Sequence, residues 1–105
     1  MSRLRLPDRR LAETTTLAFE GAAFHITIGF YPDGRPGEVF VHGAKVGSTM
    51  DRLLDDACIV VSRLLQHDVE PAELTRSMGR ISNDAPASIL GALVDLAAAR
   101  AQEGR

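Results

Sequence analysis

An α+β fold is predicted, in which a three-stranded antiparallel meander packs on one long helix and two shorter helices follow. Three observations predict it. Phe24, Ile26, Ile28 and Phe30 alternate with His25, Thr27, Gly29 and Tyr31, the period of two of a strand with one buried face. Asp33-Gly34 follows directly, a pair that accepts the positive φ of a tight hairpin turn. Residues 50–65 then carry apolar side chains at helical spacing. At 105 residues the chain is long enough for one domain and too short for two.

Each element has its own signal. Residues 1–13 read as an irregular, basic N-terminal arm, and residues 14–105 as a single α+β domain. Thr14–Phe19 is β-branched and alternating, so it reads as the first strand, with the turn at Gly21-Ala22-Ala23. Glu38–His42 is the third strand. Met50, Leu53, Leu54, Ala57, Cys58, Val61, Leu64 and Leu65 form one apolar stripe on the long helix. That stripe is expected to cover Leu17, Phe19, Phe24, Ile26, Ile28 and Phe30. Ser48 is placed to cap the helix, with Asp51 three residues on in a shortened capping box. The helix is expected to stop near His67. Pro71 opens a short second helix that ends near Met78-Gly79. Ile81–Pro86 is a linker of turn residues, and Ile89–Ala97 starts a third helix expected to fray past Arg100.

Composition narrows the function classes. The net charge is -2 and the pI is near 5.9, which argues against nucleic acid as a partner. The charge is uneven: Arg3, Arg5, Arg9 and Arg10 face only Asp8 in the first ten residues, leaving the remainder acidic. Such an arm is either solvated or docks on an acidic partner or a phosphate. One cysteine, Cys58, allows no internal disulfide. No run approaches the roughly 20 apolar residues of a membrane span, and no apolar run follows the N-terminal arginines as a secretory signal would require. A cytoplasmic protein with no membrane contact is expected.

The chemistry-bearing residues fall in two places. Gly43, Lys45, Gly47, Ser48 and Thr49 lie where the third strand enters the long helix. Free amides at a helix start can hold an anion, and Lys45 adds charge, so this is a candidate anion- or partner-binding loop. It is not a P-loop, which needs the lysine directly after the last glycine. The structural alternative has the glycines supplying positive φ, Ser48 capping, and Lys45 paired with Asp51 or Glu38. His25, His42, Phe40 and Tyr31 are assigned to the sheet face away from the long helix, as a candidate interface covered by a second copy or by the third helix. No third ligand is placed to make a metal site of the two histidines. Cys58 on the buried stripe reads as a small hydrophobe. Arg52 and Asp56 read as an i,i+4 ion pair. No nucleophile-base order and no cofactor are read.

Together these segments resemble the TSCPD domain. Such domains occur at the C-terminal end of adenosylcobalamin-dependent (class II) ribonucleoside-diphosphate reductases and as small stand-alone bacterial proteins. The residues that carry the resemblance are Leu6-Pro7-x-Arg9-Arg10, Thr16, Thr27-x-Gly29 and Asp33-Gly34-Arg35-Pro36. They continue through Glu38-Val39-Phe40-Val41, Gly43-x-Lys45-x-Gly47-Ser48 and Ser62-x-Leu64-Leu65-Gln66-His67-x-Val69. The sequence departs from that family in lacking the namesake Thr-Ser-Cys-Pro-Asp and any tail cysteine pair. The resemblance implies a fold and an association: an accessory or regulatory module, or else a reductase subunit or fragment acting in trans. A homodimer, a ribonucleotide reductase or another protein are the partners it leaves open.

Overall fold

In a computed structural model, residues 2–103 are described. Three strands come first, β1 (Ala12–Phe19), β2 (Ala22–Phe30) and β3 (Pro36–His42). They form one antiparallel sheet in the order β1-β2-β3. Helices α1 (Thr49–Gln66), α2 (Pro71–Ser77) and α3 (Ile89–Glu103) follow, with a short 3-10 turn at Ser82–Asp84. The predicted α+β meander is therefore present. β1 begins at Ala12, inside the segment read as arm.

The sheet register sorts side chains onto two faces. Ile26 lies opposite Thr15 and Val41, and Ile28 lies opposite Glu13 and Val39. On this inner face Ile26, Ile28 and Val39 are completely buried. Leu54, Cys58, Val61 and Leu65 of α1 pack on it at the 4-3-4 spacing of one helix stripe. Four residues expected on that stripe are not part of the core cluster, half-buried Ala57 among them. Met50, Leu53 and Leu64 sit to one side of the buried line and stay exposed.

Helix α3 supplies the rest of the core. Ile89, Leu93, Val94 and Ala97 join the same cluster as Ile26 and Ile28. Near its end Arg100 Nε donates to both carboxylate oxygens of Glu13 of β1, at 2.8 and 2.9 Å. The expected fraying past Arg100 does not occur, because the helix runs to Glu103 and Ala101 is buried. Thus α3 shares the inner face with α1. It does not cover the outer one, which was one of the two covers expected there. Arg80 fastens the linker to α3 through two 2.7 Å bonds to Asp95.

Helix α1 also closes one edge of the sheet. In an antiparallel strand alternate residues turn their N–H and C=O away from the neighbour. On β3 those residues are Gly37, Val39 and Val41. Gln66 Nε2 donates to the Gly37 carbonyl at 2.9 Å. Ser62 Oγ accepts from the Val39 amide at 3.0 Å and donates to its carbonyl at 3.3 Å. The Val41 amide donates to the Cys58 sulfur. Four helical residues rise about 6 Å and two strand residues about 6.8 Å, so side chains at 58, 62 and 66 meet every second strand residue for three rungs.

The N-terminal arm lies against the domain. The Leu4 amide donates to the Gln66 carbonyl at 2.8 Å, and Arg3 Nε donates to the Gln66 side chain. Arg10 pairs with Glu38 over the outer face, where the missing side chain of Gly29 leaves room. Two of the arm's arginines are thus engaged within the chain. No helix among the described residues is long and apolar enough to cross a membrane.

Candidate functional site

The loop between β3 and α1 is built by two glycines with different tasks. At Gly43, φ is +147° and a Cβ would lie 2.8 Å from the Ala23 carbonyl oxygen, so both backbone and space require glycine. At Gly47 only the φ of +78° does, because nothing lies within 4 Å. A turn follows in which the Ser48 amide donates to the Lys45 carbonyl at 3.0 Å. Ser48 Oγ accepts from the Asp51 amide at 3.2 Å, and Asp51 Oδ2 accepts from the Gly47 amide at 2.9 Å. This is the shortened capping box, with its carboxylate reaching one residue further back than the cap itself. Arg52 completes the ring by donating to the Gly47 carbonyl. The expected Arg52–Asp56 pair is therefore replaced by a tie between helix and loop.

This network decides how Lys45 is presented. Asp51 is engaged by the Gly47 amide and Glu38 by Arg10. Neither carboxylate expected for Lys45 reaches it, and the lysine side chain is exposed beside Val46, itself 91% exposed. Gly43, Lys45, Gly47, Ser48 and Thr49 are thus brought together on a cross-braced turn with a cation at its tip. The Asp51 carboxylate sits within the same helix start, where it opposes a second anion.

The outer sheet face carries part of the candidate interface. His25 lies opposite His42, and Thr27 opposite Phe40. Thr16 Oγ1 stands 3.2 Å from His25 Nδ1, and Thr14 and Thr27 hydroxyls are 2.9 Å apart. Phe40 is 43% exposed. Phe40 and His42 also border a groove of about 280 Å³ with Asp55 and Ile59 of α1. Tyr31 does not belong with them. The register shifts between Gly29 and Phe30, and Tyr31 follows the end of β2, buried. Its hydroxyl donates to the Leu4 carbonyl, and Arg35 stacks 4.9 Å from its ring centre. Burial raises the Tyr31 pKa, with Arg35 acting in the opposite direction. Tyr31 anchors the N-terminal arm, a role that alternation along β2 could not show.

Cys58 is buried, and burial raises its thiol pKa to about 11, against the lowering effect of the Val41 amide. A thiol held neutral in this way is the opposite of a reactive one. Among the described residues no group of three His, Cys, Asp or Glu stands where it could hold a metal ion. What sequence reasoning missed is the edge ladder. Its residues Cys58, Ser62 and Gln66 sit at i, i+4, i+8, but nothing in the sequence says that polar side chains on a buried stripe face a strand edge.

The profile of the TSCPD domain matches residues 3–99. The chain belongs to the TSCPD family. Over 67 residues it is 40% identical to the vitamin B12-dependent ribonucleotide reductase of Rhodopirellula baltica. It is 42% identical to the proteins of the same name from Streptantibioticus cattleyicolor and Streptomyces coelicolor, also over 67 residues. In each case the match covers 64% of this chain. It covers only 6%, 11% and 7% of those three proteins, so this TSCPD chain is homologous to a small region of much longer enzymes. No solved structure matches it.

Proposed function

We propose that this TSCPD chain is a cytoplasmic accessory module that binds a vitamin B12-dependent ribonucleotide reductase, with Lys45 and the Gly43–Thr49 turn as its contact. The observation that carries the reading is the homology: a small region of those reductases corresponds to most of this domain. The geometry of the turn supports it. Gly47, Ser48, Asp51 and Arg52 brace the backbone, so Lys45 is offered to a partner on a surface that needs little further ordering. A partner carboxylate is the expected counter-group. An inorganic anion would share the helix start with Asp51.

The test is calorimetric titration of the chain into a B12-dependent reductase from the same source, with turnover measured in parallel. Binding is expected, and Lys45→Ala is expected to weaken it by about 1–3 kcal/mol, the range of a charge-assisted hydrogen bond. The melting temperature of the variant should stay that of the wild type, because Lys45 forms no ion pair among the described residues. No heat of binding and no change in turnover would overturn the module reading. Binding unaffected by Lys45→Ala would remove the lysine from it.

A further inference from the structure

The two edges of the sheet are treated differently, and the difference points to an occupant. The outward groups of β3 are met by Gln66, Ser62 and Cys58 of α1. On β1 the Phe30 amide donates to the Leu11 carbonyl, which makes Leu11 and Phe30 a hydrogen-bonded pair. Continuing that alternation along the register, residues 13, 15, 17 and 19 bond to β2. Ala12, Thr14, Thr16 and Ala18 then turn their N–H and C=O outward. Among the described residues nothing bonds to these groups. The strand is eight residues long, its register with β2 is unbroken, and it contains neither proline nor lysine. Natural sheets guard an edge by those devices or by a covering element. Here α1 guards one edge and, among the described residues, nothing guards the other.

We propose that β1 pairs with β1 of a second copy, antiparallel about a two-fold axis at Thr15, giving one continuous six-stranded sheet. The charge pattern favours this occupant. Glu13 is the strand's sole charge, and it is already paired with Arg100. With the axis at Thr15, Glu13 faces Leu17 of the other copy, so no like charges meet across the seam. An axis at Glu13 itself would set two carboxylates opposite each other, an unfavourable cross-strand pair. In the proposed register Thr14 faces Thr16 and Thr15 faces Thr15, pairs that stabilise antiparallel sheets. Ala12 and Ala18 bring no bulk. The four outward residues of each copy make about eight new backbone hydrogen bonds. The contact is isologous, so it closes at two copies and leaves the capped β3 edges outermost.

Sedimentation equilibrium of the wild-type chain at about 100 µM is expected to give twice the 11.3 kDa monomer mass. Thr16→Pro removes an outward amide that β2 does not use, and proline is tolerated at such edge positions. It deletes two seam hydrogen bonds per dimer and is expected to weaken dimerisation about 30-fold, at about 1 kcal/mol each. The circular dichroism of the variant should stay that of a folded chain. Amide exchange on the wild type gives a check that no substitution can confound. Exchange at Thr14 and Thr16 should slow as protein concentration rises. Phe40→Ser, on the outer face, should leave the dimer intact. A monomer at 100 µM overturns the proposal. So do fast exchange at Thr14 and Thr16 at every concentration, and a dimer lost with Phe40→Ser but kept with Thr16→Pro. None of these results depends on whether a reductase binds.

Discussion

Replacing Ser62 with alanine isolates the middle rung of the ladder between α1 and β3. The hydroxyl serves Val39 twice, accepting from its amide at 3.0 Å and donating to its carbonyl at 3.3 Å. Val39 is completely buried, so water cannot take over either bond. Each orphaned buried group costs about 1–3 kcal/mol, and the longer carbonyl bond belongs at the low end. The sum is about 2–4 kcal/mol, large for the loss of one oxygen atom. For a domain near 100 residues each kcal/mol moves the melting temperature by about 4–8 °C, so a fall of about 8–32 °C is expected for Ser62→Ala. Urea unfolding gives the free energy directly, with Ser82→Ala at an exposed position as the control expected to change little. A loss below about 0.5 kcal/mol for Ser62→Ala would refute the claim that α1 satisfies the β3 edge.

Three further outcomes follow from the core. Ile28→Ala and Leu54→Ala truncate buried residues of the one core cluster, the first on the sheet and the second on α1, and each should cost about 2–5 kcal/mol in urea unfolding. Near-neutral effects for both would remove α1 from the inner face. The Cys58 pKa of about 11, against an ordinary value of 9.0, lowers the thiolate fraction at pH 8 by about 100-fold. A thiol reagent should therefore label the folded chain at least about 100-fold more slowly than the urea-unfolded chain, and equal rates would contradict the burial. The same shift has a sign in stability. Above pH 9 the unfolded chain gives up the thiol proton while the folded chain keeps it. The Cys58 contribution is thus complete below pH 9 and is lost as pH rises toward 11.

The sequence made the local features legible and left the long-range ones hidden. The alternation from Phe24 to Phe30, the capping Ser48 and the Pro71 helix start all act within a few residues, and each appears in the structure. Tyr31 continued the same alternation but left it at the shift between Gly29 and Phe30, to be buried beneath Leu4 of a distant segment. Met50, Leu53 and Leu64 share the apolar character of the buried stripe, and only the position of β3 decides that Leu54, Cys58, Val61 and Leu65 are the ones covered. Helix α3 is rich in alanine and apolar on most sides, so no moment marked the side it would bury. At the candidate turn the residue types were readable. What was not readable was that Asp51 and Glu38 would be taken by Gly47 and Arg10, which leaves Lys45 to face outward.

The Glu13–Arg100 pair has a consequence for how the chain reaches this structure. Its two ends are 87 residues apart in sequence, whereas the Ser62–Val39 bond spans 23 and the Gln66–Gly37 bond spans 29. Closing a longer loop costs more chain entropy, and contacts between distant residues form later on average. The meander and α1 can therefore assemble while the C-terminal third is still being synthesised. Ile26 and Ile28 would then wait with one flank open until α3 arrives. During that interval the nascent chain exposes its most apolar strand, and the fifteen residues of α3 become the step that removes it from water.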